Sequence, residues 1–208
     1  MLHQPEHAWP GGREDLARLV GAHPWVTLVS ATPALVVSHL PVVLDPAADQ
    51  SAGPVLLGHL PLADARAHRL GEAETVVVVY GPHGYVSAGW YAGGPYVSTW
   101  NYVVAHLHGT LTRLDAAETF GVLELTQERF ESVRPEPFVV DRAYAERLAP
   151  HVVGFRLTPA RVEAKAKLSQ DKPAEDVAGV LRGLEDSADV HANPALAAAM
   201  RELGGVAR

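Results

Sequence analysis

Flat aromatic side chains are concentrated between Tyr80 and Tyr102, a segment that holds seven of the fourteen aromatic residues in this 208-residue chain. Five glycines are interleaved with these rings. Glycine lets a backbone approach a ligand closely, and aromatic rings offer rigid flat surfaces. The composition favours a site for a small planar ligand as much as it favours a glycine-rich loop whose rings anchor it on the core.

Imidazoles are a second group of side chains that could do chemistry. Five of them lie in or beside predicted strands: His39, His59, His83, His106 and His108. His106 and His108 are two residues apart and point to one face of a strand, as in some metal sites. No acidic residue stands at a diagnostic spacing from them, so we predict no metal site. His39 and His59 each precede Leu-Pro at a predicted strand end, where an imidazole either meets a ligand or hydrogen-bonds the loop backbone.

The segment from Lys165 to Gln170 combines positive charge with hydrogen-bond donors. Lys165 and Lys167 share one face of a predicted strand, and Ser169 and Gln170 follow with a hydroxyl and an amide. Such a set can hold a phosphate through charge-assisted hydrogen bonds. A solvated strand end is the simpler explanation for this segment taken by itself.

Several well-known chemical motifs are missing from the sequence. It contains no G-x-G-x-x-G, no G-x-x-x-x-G-K-[ST] and no G-x-S-x-G, which removes Rossmann, P-loop and nucleophile-elbow sites. It also contains no cysteine, which removes disulfides, thiolate zinc sites, iron–sulfur clusters and cysteine nucleophiles. No catalytic residue can be assigned from spacing.

Alternating and β-branched runs bounded by turn residues predict the strands that must position these groups. The predicted strands are Trp25–Ala31, Ala34–Leu40, Val55–Leu60, Glu74–Tyr80, Trp100–Leu114 and Val152–Lys167. Pro159 indicates an edge or a bulge in the last of them. Because regular βαβ alternation is missing, we predict a mainly β fold of the α+β class, an antiparallel barrel with peripheral helices.

Helical spacing and capping residues predict the helices. Asp115 and Glu118 form a capping-box pattern, and Phe120, Leu123 and Phe130 are the predicted core-facing residues of the helix that follows. The predicted helices are Arg13–Val20, Leu62–Leu70, Asp115 to about Ser132, Asp141–Pro150, Pro173–Leu184 and Pro194–Leu203.

The last helix has Asn193 as its predicted N-cap and Pro194 at its first position. We predict one domain over residues 1–208, with a helical C-terminal extension over about 173–203.

Composition limits the partners of the chain. Lysine and arginine number 17 against 24 aspartate and glutamate, which gives a formal charge of −7 and a pI near 5.8. This is the wrong sign for neutralising many phosphates, so direct DNA binding is disfavoured. The apolar run Val76–Tyr80 is too short to cross a membrane, and residues 1–10 lack a signal-peptide pattern. We predict a cytoplasmic protein that does not enter the membrane.

Seven short motifs stand in order along the chain. They are Ser38-His39-Leu40-Pro41, Gly58-His59-Leu60, Gly81-Pro82-His83-Gly84-Tyr85-Val86-Ser87, Trp90-Tyr91, Thr99-Trp100-Asn101-Tyr102, Val153-Gly154-Phe155 and Lys167-Leu168-Ser169-Gln170. Together they resemble the motif series of the PaiB-like family of FMN-binding negative transcriptional regulators, from about Leu2 to Met200. The resemblance implies an antiparallel six-stranded split barrel of the flavin-binding type, related to pyridoxamine-phosphate oxidases.

The resemblance also implies a homodimer with an FMN site at the subunit interface. By motif position it places the following residues around the cofactor: Ser38, His39, Leu40, Gly58, His59, Leu60, Trp100, Asn101 and Tyr102. It places Lys167, Ser169 and Gln170 near the phosphate.

Two departures from the family pattern bear on the cofactor. Asp64 stands where the family has Asn, and Ala166 stands where it has Trp. A carboxylate near a phosphate repels it, and loss of the indole removes a wall of the pocket. These changes predict weakened or lost FMN binding, or a pocket widened for another ligand. The alternative for Asp64 is that it caps a helix over Ala65–Leu70 and points away from the ligand.

The sequence leaves three functions open. The first is an FMN-binding regulator that acts through a partner protein, because the predicted last helix carries only Arg201 inside it. The second is an FMN-dependent oxidoreductase for a small planar substrate, in which the flavin carries the redox chemistry. The third is a haem-binding split barrel with a histidine ligand.

Overall fold

The computed structural model describes residues 8–50 and 53–204 and divides the chain into two compact units. We call Arg13–Val79 with His106–Val162 the strand-rich unit. We call Met1–Gly12 with Tyr80–Ala105 and Glu163–Arg208 the terminal unit. Each unit is described by itself.

The described residues form six α-helices, eight strands and two short 3-10 helices. The helices are α1 Arg13–Ala22, α2 Leu62–Ala67, α3 Ala116–Glu131, α4 Arg142–Leu148, α5 Ala174–Glu185 and α6 Pro194–Leu203. The strands are β1 Trp25–Ala31, β2 Leu35–Leu44, β3 Leu56–Pro61, β4 Glu74–Val86, β5 Thr99–Thr110, β6 Thr112–Arg113, β7 Val152–Leu157 and β8 Arg161–Lys167. The 3-10 helices are Ala88–Trp90 and Ala149–His151. No helix within the described ranges is long and apolar enough to span a bilayer.

Hydrogen bonding orders the strands β6-β7-β3-β2-β1-β4-β5-β8. The prediction of a mainly antiparallel β fold with helices is confirmed, and the predicted count of six strands is wrong. Two predicted strands each break in two. The segment Val152–Lys167 divides around Pro159, which has no backbone N–H to give to a ladder, and Trp100–Leu114 divides at Leu111.

The strand-rich unit buries one face of its strands because side chains alternate along them. In β1, Val26, Leu28 and Ser30 are buried. Strand β1 lies between β2 and β4, with Val29 opposite Val37 on one side and opposite Val76 on the other. Strand β3 continues the antiparallel ladder from β2 to β7.

Helix α3 begins at the predicted capping box, where Glu118 N donates to Asp115 Oδ1 over 2.8 Å and Asp115 N donates to Glu118 Oε2 over 3.0 Å. The residues predicted to face the core are wrong, because the buried face of the helix is rotated by part of a turn from the predicted one. Thr119 and Val122 are the buried residues, whereas Phe130 is 38% exposed. The Thr119 hydroxyl accepts a hydrogen bond from Gly154 N in β7 at 2.9 Å, and this contact sets the rotation of the helix.

The terminal unit contains α5 and α6, whose predicted positions are confirmed within one residue. Asn193 caps α6 by accepting from Leu196 N at 3.0 Å, and Pro194 is its first residue, as predicted. The buried apolar residues of the two helices include Val180, Leu184, Leu196 and Met200.

Candidate functional site

A buried histidine joins two strands of the strand-rich unit. His68 Nδ1 lies 2.7 Å from Ser30 Oγ, and His68 Nε2 lies 2.9 Å from Ser38 Oγ. Burial lowers the pKa of His68, and Asp64 opposes that shift. A neutral imidazole donates through one nitrogen and accepts through the other, so it orients both hydroxyls. Ser38 was a predicted site residue; His68, which holds it, was not predicted.

The other predicted residues of β2 and β3 lie in two different environments. His39 is exposed, and its Nδ1 lies 3.0 Å from Thr27 Oγ1. Leu40 and Leu60 are core residues, at 5% and 2% exposure. Gly58 is explained by packing, because a Cβ there would lie 2.6 Å from Phe155 Cζ.

His59 carries a polar atom that the described residues leave unsatisfied. Its Nδ1 is buried and has no hydrogen-bond partner among them. Burial lowers the pKa of this imidazole, so it is held neutral. A buried polar atom without a partner costs about 1–3 kcal/mol, and such atoms are places where a ligand or a water supplies the missing bond.

Asn101 presents a second unsatisfied atom, in the terminal unit. Its Nδ2 donates to Ser169 Oγ at 2.9 Å and contacts Met200 Sδ at 3.7 Å, while its Oδ1 is buried without a partner among the described residues. Ser169 has a φ of 63°, a left-handed conformation that is unfavourable for a side chain with a Cβ. The contact between Asn101 and Ser169 joins two predicted site residues that are 68 positions apart.

Lys167 is a cation whose partners are neutral. Its ammonium group donates to the Thr99 hydroxyl and, over 3.3 Å, to the Trp100 carbonyl. It forms no ion pair with a carboxylate in the part of the chain that the structure describes. Burial lowers the pKa of Lys167. This half-buried charge can therefore accept an anion as its counter-ion.

Two neighbours of Lys167 are less available than the sequence predicted. Gln170 closes its own turn, because its Oε1 accepts from Leu168 N and its Nε2 donates to the Ala166 carbonyl, each over 2.6 Å. Lys165 is buried at 1% exposure. Of the two lysines predicted to share one strand face, Lys167 is therefore half-buried and Lys165 lies within the protein.

The aromatic segment contains both exposed rings, which could contact a planar ligand, and buried rings, which anchor the loop on the core. Trp100 is 50% exposed and stacks on His83, with ring centroids 6.0 Å apart and planes inclined by 28°. Its Nε1 donates to His83 Nδ1 over 3.3 Å. We call this exposed pair the Trp100–His83 shelf. Tyr102, in contrast, is half-buried, and burial raises its pKa.

Other rings of the segment anchor it on α5. The buried Asp176 carboxylate accepts 2.8 Å hydrogen bonds from Ala92 N and Gly93 N and a further one from the Tyr96 hydroxyl. The Gly93 N–H and the other donors lower the pKa of Asp176. Trp90 Nε1 donates to Asp189 Oδ2 over 3.3 Å. These contacts hold the loop in place, whereas Trp100 of the shelf remains half-exposed.

Asp64 does not cap a helix. Helix α2 has Pro61 as its N-cap, and Asp64 is an exposed residue of the first turn. The capping alternative was wrong because the helix begins three residues earlier than it required. Ala166 is fully buried, so the smaller side chain lies in the interior of the terminal unit.

The fold is that of a mainly antiparallel β protein with helices, and unsatisfied buried polar atoms lie at predicted positions in each unit. The family model described as "Putative FMN-binding domain" matches residues 2–161. The chain belongs to this FMN-binding domain family, and the predicted family membership is confirmed. The match includes His59 and Asn101 and ends before Lys167.

Curated relatives are similar over most of their length. "Protease synthase and sporulation protein PAI 2" of Bacillus subtilis, the PaiB protein, is 27% identical over 161 residues, which is 76% of each chain. An uncharacterized protein of Emericella nidulans is 29% identical over 188 residues, covering 72% of this chain and 74% of that protein.

Solved structures share the split-barrel fold. A FAD- and haem-binding protein from Mycobacterium smegmatis aligns with a TM-score of 0.60 at 20% identity, covering 80% of this chain and 77% of that one. The flavocytochrome Anf3 from Azotobacter vinelandii aligns with a TM-score of 0.54 at 16% identity, covering 74% and 67%.

Proposed function

We propose that this chain binds FMN. The observation that carries the proposal is that Asn101, a predicted flavin-binding residue in the same unit as Lys167, presents a buried carbonyl oxygen without a hydrogen-bond partner among the described residues. A flavin ring offers N–H and carbonyl groups along its edge that would satisfy such atoms. When bound, FMN supplies hydride and electron transfer, and the protein supplies position and hydrogen bonds.

Lys167 is the residue that we propose for the phosphate. Its ammonium is already oriented by the Thr99 hydroxyl and the Trp100 carbonyl, so little side-chain entropy is lost when an anion arrives. Ser169 lies two residues further on, but its buried hydroxyl already accepts from Asn101 Nδ2 at 2.9 Å, so we propose that it orients Asn101 and does not hold the phosphate directly. Gln170 is given no role, because its amide is used within its own turn.

We propose a homodimer as the functional form. The hairpin of β1 and β2 carries an exposed apolar face that we call the apolar strip: Trp25, Leu35 and Val37. A second copy of this chain would cover it, since apolar patches on soluble proteins mark interaction sites.

Regulation, in this proposal, runs through a partner protein and not through DNA. The chain has a formal charge of −7. Arg201, the basic residue within α6, forms two hydrogen bonds with the Glu185 carboxylate, one of them 2.9 Å long, so its charge is neutralised. A recognition helix needs free basic side chains for phosphates.

An oxidoreductase is the second candidate, and the Trp100–His83 shelf favours it. A half-exposed indole stacked on an imidazole is a platform for a planar substrate. Turnover of reduced flavin by an added planar electron acceptor would support this function over the regulatory one.

FMN titration of ligand-stripped protein, followed by flavin fluorescence quenching, tests the proposal. We expect saturable binding of one FMN per chain, and about tenfold weaker binding in Asn101→Ala because it loses a hydrogen bond to the cofactor. His151→Ala, an exposed histidine on a 3-10 helix, is the matched control. Absence of binding at tens of micromolar FMN would refute the proposal. A Soret band in the purified protein would show that the chain binds haem in place of flavin.

A further inference from the structure

Two adjoining cavities in the strand-rich unit lie where no predicted site residue contributes. The first has a volume of about 490 Å³ and the second about 340 Å³. They share three lining residues, Leu62, Arg113 and Val153. Volumes of this size match small-molecule sites.

The two cavities differ in polarity. The first is lined mainly by apolar side chains, among them Leu114, Phe120 and Val152. The two carboxylates on its wall are already engaged. Asp115 caps α3, and Glu146 pairs with Arg142 at 2.9 Å.

The second cavity is cationic. Three arginines line it, Arg66, Arg69 and Arg113, against one carboxylate, Glu72. Glu72 pairs with Arg69 at 2.7 Å. Among the described residues, Arg66 and Arg113 form no ion pair or side-chain hydrogen bond. Two uncompensated guanidinium groups therefore line one cavity of a protein whose formal charge is −7.

The backbone at Arg69, a residue of the second cavity's lining, has an unusual conformation. After α2 the chain turns back: Leu70 N donates to the Ala65 carbonyl and Arg69 N to the Arg66 carbonyl, each over 3.0 Å. These two bonds form a Schellman motif, whose left-handed position is usually glycine. Here that position is Arg69, with φ at 48°. An arginine in this conformation is less favourable than glycine, and the turn places Arg69 and its partner Glu72 in the lining of the second cavity.

We propose that these joined cavities bind an amphipathic monocarboxylate, with its head on Arg66 and Arg113 and its apolar chain in the first cavity. Guanidinium groups match carboxylates through paired hydrogen bonds. The engaged carboxylates Asp115 and Glu146 repel an anionic head, and this fixes the direction in which the ligand enters. The site does not depend on the proposed flavin function.

Calorimetric titration with octanoate, and with octan-1-ol as its uncharged counterpart, tests the proposal. We expect octanoate to bind the wild-type protein, and Arg113→Gln to weaken it about tenfold or more because a charge-assisted pair is lost. Arg18→Gln is the matched control, since it removes one exposed positive charge from α1, away from both cavities. Ala117→Trp fills the apolar cavity and should also weaken binding, with circular dichroism to verify the fold.

Three outcomes would overturn the proposal: no octanoate binding at millimolar concentration, equal loss in Arg113→Gln and Arg18→Gln, or octan-1-ol binding as tightly as octanoate. FMN titration of Arg113→Gln separates the two proposals. Unchanged FMN affinity with weakened octanoate affinity supports an independent site for the carboxylate. A parallel loss of both affinities means that FMN and octanoate bind at the same site.

Discussion

At the residue scale, Lys167 is the charged group that we propose for the phosphate of FMN. Its hydrogen bonds are to neutral oxygens, and burial lowers its pKa although the nearby Asp171 carboxylate opposes that shift, so a phosphate would be the first anion to hydrogen-bond its ammonium group among the described contacts. We expect Lys167→Ala to weaken FMN binding about tenfold to a hundredfold. Lys172→Ala is the control, because Lys172 is paired with Asp171 at 2.8 Å. Equal, small losses in flavin quenching would place the phosphate elsewhere.

The sequence alone suggested Lys165→Ala, and not Lys172→Ala, as the variant to compare with Lys167→Ala. A larger loss in Lys167→Ala than in Lys165→Ala stays a prediction. Lys165 is the poorer control because it is 1% exposed, and its removal would disturb packing as well as charge.

His68 is the residue-scale source of a pH effect. Burial lowers its pKa below the ordinary value of about 6.5, so the unfolded state binds the proton first as pH falls. The stabilisation from neutral His68 is complete above pH 6.5 and is lost as pH falls from there through the folded pKa. Urea unfolding at pH 7.5 and 5.0 should show a drop in the free energy of unfolding, and His68→Asn should make that drop smaller. An identical pH slope in both proteins would contradict this account.

At the element scale, α5 packs closely against the 3-10 helix Ala88–Trp90 because two residues of α5 are glycines. A Cβ on Gly179 would lie 2.0 Å from the Trp90 carbonyl oxygen, and one on Gly183 would lie 2.4 Å from the indole ring. These glycines form a notch that holds Trp90, and Trp90 in turn supports the aromatic segment.

Gly179→Ala should lower the free energy of unfolding by about 1–3 kcal/mol, since the clash is with backbone and cannot be relieved by a rotamer change. Gly121→Ala in α3 is the control, because nothing lies within 4 Å of a Cβ there. It should stabilise the protein by about 0.5–1 kcal/mol through helix propensity. Equal effects of the two substitutions in urea titration would show that the notch is not packed as described.

At the scale of the whole molecule, the apolar strip is the interface that we propose for a homodimer. Val37 is 53% exposed and lies opposite Val29 on the open face of the hairpin. We expect the wild-type protein to sediment as a dimer at micromolar concentration and Val37→Arg to sediment as a monomer, since an unpaired charge in an apolar interface is strongly unfavourable. Val139→Arg, at a valine that is 85% exposed, should remain dimeric. A wild-type monomer would refute the dimer, and a dimeric Val37→Arg would place the interface on another face.

Local chemistry determined most of the elements and the family. The sequence alone revealed the capping pairs at Asp115 and Asn193 and the alternation in β1, because these features depend on residues a few positions apart. It also revealed the family, because the order of the motifs does not depend on folding. The sequence also singled out His59 and Asn101, each of which has a buried polar atom without a partner among the described residues, and Lys167, which hydrogen-bonds to neutral oxygens.

Only the tertiary structure decided how the site is held. His68 reaches Ser30 and Ser38 from 38 and 30 residues away, and Asn101 reaches Ser169 from 68 residues away. Nothing in the spacing of these residues encodes such contacts, because they are set by strand register and helix rotation across the fold. The same reason explains why the sequence could not separate Trp90, which anchors the loop, from Trp100, which remains exposed. Both are indoles among glycines, and only packing against α5 distinguishes them.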